Sequence, residues 1–399
     1  MKKIHLEKPK SPSNVAGTVD GLTYLRFLLA LFIFMHHFFT GAPDQNLFNS
    51  SPQFFKNFVG NSFGAVSIFF VLSGFVIMFS TLQSKRKFNV VNFYRNRLVR
   101  IYPLYLIGLL SSIALLRPSI APGDFLRHLF MFQTLIPQSG YDFYNYNLPA
   151  WSICAEMVFY VSFPLLVPLI RLRKFKYLGI LFLIVALCAS WIYAKAWDIV
   201  LSQHASNIAA LNSLANTFAN YAQQHSLTYD YVIYANPYSR VFDFLAGVSI
   251  AICFYYFPKY FKNTGTRLFS IILVLGVLRI VVFKSNLALS LFVRVFDFLL
   301  LGTFLIIAIL AMSSVAKKER DSEGKGFLPR KFLLLLGDSS YALYILQWPF
   351  VHFVARWTDH VNLALGWLIF LFSTLTMVAI SIGAHRFIEI PLMRRFKRV

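Results

Sequence analysis

LTYLRFLLALFIFMHHFFT, residues Leu22–Thr40, is the stretch that decides the reading of this chain. It approaches the ~20 mainly apolar residues that carry a helix across a bilayer. Within it stand a guanidinium, Arg26, and two imidazoles, His36 and His37. Arg26 and His37 are eleven residues apart; at 100° per residue this is about 20° from three full turns and about 16 Å of helix axis, so the two share one face. His36 points about 80° away from that face. An ionisable group inside a span costs several kcal/mol unless it is paired or lines a wet cavity, so these positions are functional candidates.

Runs of the same kind recur along the chain. Spans are predicted at about 22–40, 62–82, 101–117, 151–170, 178–197, 239–257, 268–285, 291–314, 332–353 and 364–386. The segment 124–137 is apolar but too short to cross, which predicts an interfacial or re-entrant helix. Composition agrees, with 57% hydrophobic and 14% charged residues, where a soluble domain has roughly 45–50% and about 25%. The expected fold is an all-α, polytopic membrane bundle of about ten helices. The net charge of +22 does not indicate nucleic-acid binding, because the basic residues sit between apolar runs rather than on one solvated face. Cys154, Cys188 and Cys253 lie in apolar stretches with no metal-ligand or disulfide spacing.

Most of the charge encodes orientation. Six segments, the N-terminal tail, 85–100, 171–176, 259–267, 317–331 and the C-terminal end, hold 28 of the 38 Lys and Arg residues. Ten spans put all six on one side, which the positive-inside rule makes the cytoplasm, with both termini. The expected organisation is a basic tail over 1–21, a transmembrane domain over 22–386 with an outward loop at 198–238, and a second basic tail over 387–399. One internal echo, Arg240-Val-Phe-Asp243-Phe-Leu and Arg294-Val-Phe-Asp297-Phe-Leu, reads as two helices anchored at the outer interface.

Two further clusters carry chemistry. Glu156 lies about one and a half turns into its span, near the expected depth of His37, where it would either pair with that imidazole or form a structural ion pair with Arg26 or Arg240. Arg97 and Arg100 are three apart at the mouth of another span, a fork suited to phosphate oxygens, with Tyr102 and Pro103 beside them.

Together these motifs resemble the membrane-bound acyltransferase-3 family. Arg26 and His37 are similar to its R-x10-H pattern, and Phe69-Phe-Val-Leu-Ser73-Gly74-Phe75 to its FFxxSGF signature. Arg97-x-x-Arg100-x-x-Pro103, Trp151-Ser152-x-x-x-Glu156 and Arg386-Phe-Ile-Glu389-Ile-Pro391 resemble three more of its elements. In Ser340-Tyr341-Ala-Leu-Tyr344-Ile-Leu-Gln347-Trp-Pro349, Gln347 replaces the His usual in the family's SYxLYLxHxP stretch.

The resemblance implies transfer of an acyl group, by family default acetyl, from cytoplasmic acyl-coenzyme A to a hydroxyl of a cell-envelope or exported glycan, such as lipopolysaccharide O-antigen or exopolysaccharide. It implies a bacterial inner-membrane protein with acetyl-coenzyme A as donor and no metal. In this reading His37 is a general base, Glu156 orients it, and Arg26 orients the donor. Arg97, Arg100 and Tyr102 bind the donor, while Trp151, Ser152, His36 and Gln347 lie on the acceptor side. A competing reading, a membrane transporter or flippase for lipid-linked sugars, shares the spans and buried charges but predicts no thioester consumption.

Overall fold

The computed structural model describes residues 16–41, 46–62, 64–84, 86–135, 144, 146–171, 177–202, 234–261, 263–283, 291–320, 329–356 and 361–396. Residues 1–15 of the expected basic tail and 203–233 of the expected outward loop lie outside them. The regular structure described is helical throughout: α1 (Ala16–Thr40), α2 (Asn46–Asn49), α3 (Gln53–Gly60), α4 (Gly64–Gln83), α5 (Val90–Leu116), α6 (Pro122–Leu129), α7 (Trp151–Arg171), α8 (Leu178–Ser202), α9 (Pro237–Tyr256), α10 (Pro258–Phe261), α11 (Thr264–Phe283), α12 (Leu291–Arg320), α13 (Arg330–Asp338), α14 (Ser340–Ala355), α15 (Leu363–Ala384) and α16 (Ile390–Phe396).

Among the described residues, seven helices are long and apolar enough to cross a membrane: those at Asp20–Thr40, Gln53–Gln83, Val90–Leu116, Leu148–Leu169, Leu178–Trp197, Pro237–Tyr256 and Leu363–Phe396. Large apolar side chains such as Leu165, Ile192, Leu368 and Phe372 face outward, at 74%, 60%, 64% and 72% exposure, as a multi-pass membrane protein requires and a soluble one avoids. The remaining expected spans also fall on helices. Those at 268–285 and 291–314 correspond to α11 and α12, whose described side chains include the apolar stretches Arg267–Gly276 and Phe296–Met312. The one at 332–353 breaks at Ser339 into α13 and α14. Among the described residues of segment 124–137 the helix is α6, too short to span.

Local chemistry sets several boundaries. The Asn89, Asn236 and Asn362 side chains accept from the backbone N–H of Asn92, Tyr238 and Leu365 and so start α5, α9 and α15. Pro237 follows its cap at the first helical position, where a missing N–H costs nothing. Inside α5, α7 and α14 the prolines Pro103, Pro164, Pro168 and Pro349 are tolerated, as neighbouring helices in a bundle satisfy the freed carbonyls.

Lipid offers little hydrophobic drive between helices, so close packing and polar contacts hold the bundle. The most extensive contact is α4 on α9. At their crossing Gly74 lies against the Phe244 carbonyl and Gly247 against the Val71 carbonyl, with backbone where a methyl group would stand. Toward the start of both helices the pair is stapled by Arg240, which is fully buried and donates to Ser67 Oγ (2.9 Å), Asp243 Oδ2 (3.1 Å) and the Tyr234 carbonyl (2.6 Å). This corrects the interfacial anchor expected of that motif: Arg240 turns inward because Ser67 and Asp243 satisfy it there. The side chain of its counterpart Arg294 lies outside the described residues. The far end of α1 enters an aromatic cage in which Phe39 packs on Phe55, Trp367 and Phe370 at 4.8–5.1 Å between ring centroids.

Replacing Gly247 by Ala therefore forces α4 and α9 apart. Overpacking of this kind costs about 1–3 kcal/mol, so Gly247→Ala should melt several degrees below wild type in detergent. Gly276→Ala, which meets open space, should not. Equal melting curves for the two variants would contradict the packing described.

Candidate active site

A cavity of about 800 Å³, counting its open mouth, lies between α1, α4, α5, α7 and α14. Helical periodicity explains its walls. On α7 Ser152, Glu156 and Tyr160 recur every fourth residue, on α14 Tyr341 and Tyr344 lie three apart, and on α5 Arg97, Arg100 and Ile101 share a face, so each helix turns one polar stripe inward. Arg26 is the contribution of α1.

The charged end is densely wired. Tyr160 donates to Glu156 Oε2 at 3.0 Å. The Arg97 guanidinium sits over the rings of Phe93 and Tyr160 at 5.5 and 5.6 Å, a cation–π pair of contacts, and its Nε has no hydrogen-bond partner among the described residues. Arg26 faces Arg100 and the carboxylates of Asp338, Glu156 and Glu389, with no ion pair within 4 Å among the described residues. Arg100 Nε lies 3.5 Å from Glu389 Oε1, and the other oxygen of that carboxylate is 2.8 Å from His385 Nδ1. The His385–Glu389 segment is a π-helical turn between α15 and α16, a local widening often found at functional sites, and both side chains are buried.

At the opposite end the walls become apolar, with Val66, Phe69, Phe70 and Ile153. Here Ser152 Oγ and Tyr344 Oη are 2.8 Å apart, and both reach the Pro149 carbonyl, at 3.0 and 3.2 Å.

The structure thus brings Arg26, Arg97, Arg100, Ser152 and Glu156 to one cavity. His37 is not among its lining residues. It is 7% exposed, edge-on to Trp348 and to His36 at 5.4 Å each, with the Gln347 amide beside it. Gln347 is fully buried; its Nε2 donates to the Tyr344 carbonyl at 2.9 Å, and its Oε1 has no partner among the described residues. The groups around Glu156 are Tyr160, Arg26, Arg100 and Arg97, whereas those around His37 are His36, Gln347 and His352, so the structure does not bring Glu156 and His37 together. His36 turns to the Val59 carbonyl at 3.0 Å. Tyr102 is directed at the Leu129 carbonyl (3.3 Å), and Trp151 is buried against Tyr234 and Phe70, both outside the cavity wall. Tyr160 is the polar lining residue not singled out from sequence, and its signal was its spacing of four residues from Glu156; Tyr341 and Tyr344 were quoted there as part of a motif but given no role. The pairing of His385 with Glu389 had no such signal, because it needs the π-turn.

Comparison with known proteins gives this arrangement its context. The sequence matches the family described as an acyltransferase domain over residues 19–386. It is 31% identical over 163 residues to the acyltransferase MdmB of Streptomyces mycarofaciens, covering 38% of this chain and 40% of that protein. It is 28% identical over 153 residues to nodulation protein 10 of Rhizobium leguminosarum bv. viciae, covering 34% of this chain and 40% of that protein. A third relative, an uncharacterized protein of Haemophilus influenzae, is 30% identical over 172 residues, 37% of this chain and 68% of its own. The match therefore spans less than half of the first two relatives' length. No solved structure matches the chain.

The Arg100–Glu389–His385 chain gives a direct test of the charged end. Glu389→Gln keeps the shape but removes the charge shared by the other two, and stranding buried polar groups costs about 1–3 kcal/mol. The variant should lose several degrees of melting temperature in detergent, whereas an unchanged melting curve would remove Glu389 from the account. On these matches and this cavity, the chain is a multi-pass membrane protein that belongs to the acyltransferase-3 family.

Proposed function

We propose that this protein transfers an acyl group, acetyl by family default, from cytoplasmic acyl-coenzyme A to a hydroxyl of a cell-envelope or exported glycan. Lipopolysaccharide O-antigen and exopolysaccharide are the acceptor classes of this reading, and the bacterial inner membrane is its location. The observation that carries it is the polarity of the cavity: Arg26, Arg97 and Arg100 converge at one end, and the other is apolar and hydroxyl-lined. A coenzyme A thioester has the same polarity, with phosphates at one end and a small acyl group at the other. Guanidinium groups suit phosphates because their forked donors match the oxygens.

In this reading Arg97 and Arg100 hold phosphates, and Arg26 orients the donor within the cavity. Glu156, paired with Tyr160, fixes the arginine cluster instead of the imidazole. His37 serves as the base. One turn along α14 from Tyr344, ~4.5 Å of rise, lies Gln347, so the apolar end approaches the level of His37. A ring nitrogen of His37 takes the proton of the acceptor hydroxyl as its oxygen bonds to the thioester carbonyl carbon. The C–S bond then breaks, and coenzyme A leaves as a thiolate that takes up a proton. An alternative order forms an acyl-histidine first and passes the acyl group on. Acceptor contacts fall to the His36 and Gln347 side, with Ser152 at the junction. Trp151 and Tyr102 support the walls from behind.

Purified protein incubated with acetyl-coenzyme A and a glycan acceptor should release free thiol. Loss of a general base typically costs 10²–10⁴-fold, so His37→Ala should cut the rate by about 100-fold or more. A variant that consumes thioester as fast as wild type contradicts the role of His37; no thiol release by wild type would favour a transporter.

A further inference from the structure

The apolar end of the cavity has a built wall. Tyr344 is buried, and its hydroxyl is held in two directions, by Ser152 Oγ at 2.8 Å and by the Pro149 carbonyl at 3.2 Å. Pro149 belongs to the 3-10 turn that leads into α7, so the ring is tied to a neighbouring element and not only to its own helix. Across from it stands Phe69 of α4, with ring centroids 6.0 Å apart. Both rings line the cavity, and Phe69 also packs against the cluster that contains Phe34 and Phe38 of α1. On α14 the Tyr344 carbonyl receives the Gln347 amide at 2.9 Å, and that amide lies beside His37. Tyr344 and Phe69 therefore close the cavity on the side that leads through Gln347 toward His37, where an acyl group pointing away from the arginines would end.

We propose that Phe69 and Tyr344 form the end wall that sets the size of the transferred acyl group, admitting a two-carbon acyl and rejecting longer chains. The inference rests on the reading of the cavity as the donor site. Its physical basis is that an aromatic ring in a packed wall yields little: each added methylene of the acyl chain must displace the Phe69 ring or break the contacts of Tyr344 with Ser152 and Pro149. Shortening Phe69 opens space along the wall. Removing the Tyr344 hydroxyl leaves the ring in place but releases its tether.

The test is thiol release by wild type, Phe69→Leu, Phe69→Ala and Tyr344→Phe in nanodiscs, with acetyl-, butyryl- and hexanoyl-coenzyme A. Wild type should prefer acetyl. The ratio of kcat/KM for hexanoyl over acetyl should rise at least tenfold in Phe69→Ala, with smaller rises in Phe69→Leu and Tyr344→Phe. Phe69→Leu keeps the test open should the alanine variant not fold. A ratio unchanged in the folded variants overturns the proposal, as does a wild type that uses hexanoyl and acetyl equally. Absence of thiol release by wild type from every thioester is a separate result: it overturns the donor-site reading itself and the wall with it.

Discussion

Four guanidinium groups held inside a bundle of apolar helices are the constraint on which the rest of this structure depends. Moving a cation out of water is expensive unless counter-charges, aromatic faces and hydrogen-bond acceptors replace the lost hydration. In a bilayer the helix backbone is already satisfied by its own hydrogen bonds, so only side chains can supply these. The bundle does so unevenly. Arg240 has its full set in Ser67, Asp243 and Tyr234, and it acts as a structural staple. Arg100 shares Glu389 with His385. Arg97 is held at Tyr160 and over the Phe93 ring, with its Nε unpaired among the described residues, and Arg26 makes no ion pair within 4 Å among them; both line the open cavity. Part-buried cations with spare donors are what the proposed phosphate-bearing donor would require.

The second consequence is a division of the interior into two levels. The arginine end of the cavity lies by Arg26 on α1, while His37 sits about 16 Å further along the same helix, edge-on to Trp348 and beside Gln347. Tyr344 and Phe69 occupy the boundary between the levels. A donor that spans the cavity and an acceptor that reaches the imidazole would meet there, each held by different chemistry: charge at one level, aromatic faces and amides at the other.

Much of this was legible in the sequence. The long apolar runs gave the helices, and the eleven-residue spacing put Arg26 and His37 on one helix. The spacing of Arg97 and Arg100 led both to the cavity. What was not legible concerns rotation and local breaks. Residue counting places Glu156 near His37 in depth, but depth does not fix which way a helix turns its side chain, and α7 turns Glu156 to Tyr160 and Arg26. Likewise Tyr102 stands next to the arginine fork in sequence but points toward α6. The break at Ser339 and the π-turn at His385–Glu389 are local departures from a continuous α-helix, which apolar periodicity does not record.

Whether Arg26, Arg97 and Arg100 hold the phosphates of the proposed coenzyme A donor is decided by equilibrium binding of coenzyme A to the protein in nanodiscs, for wild type, Arg26→Gln, Arg97→Gln and Arg100→Gln. Loss of a charged hydrogen bond, about 1.5–3 kcal/mol, corresponds to roughly tenfold to more than hundredfold in affinity. Wild type should bind with an affinity that weakens with added salt, and each folded variant should show a further loss of that size. Variants that bind coenzyme A as tightly as wild type would contradict this role of the arginines.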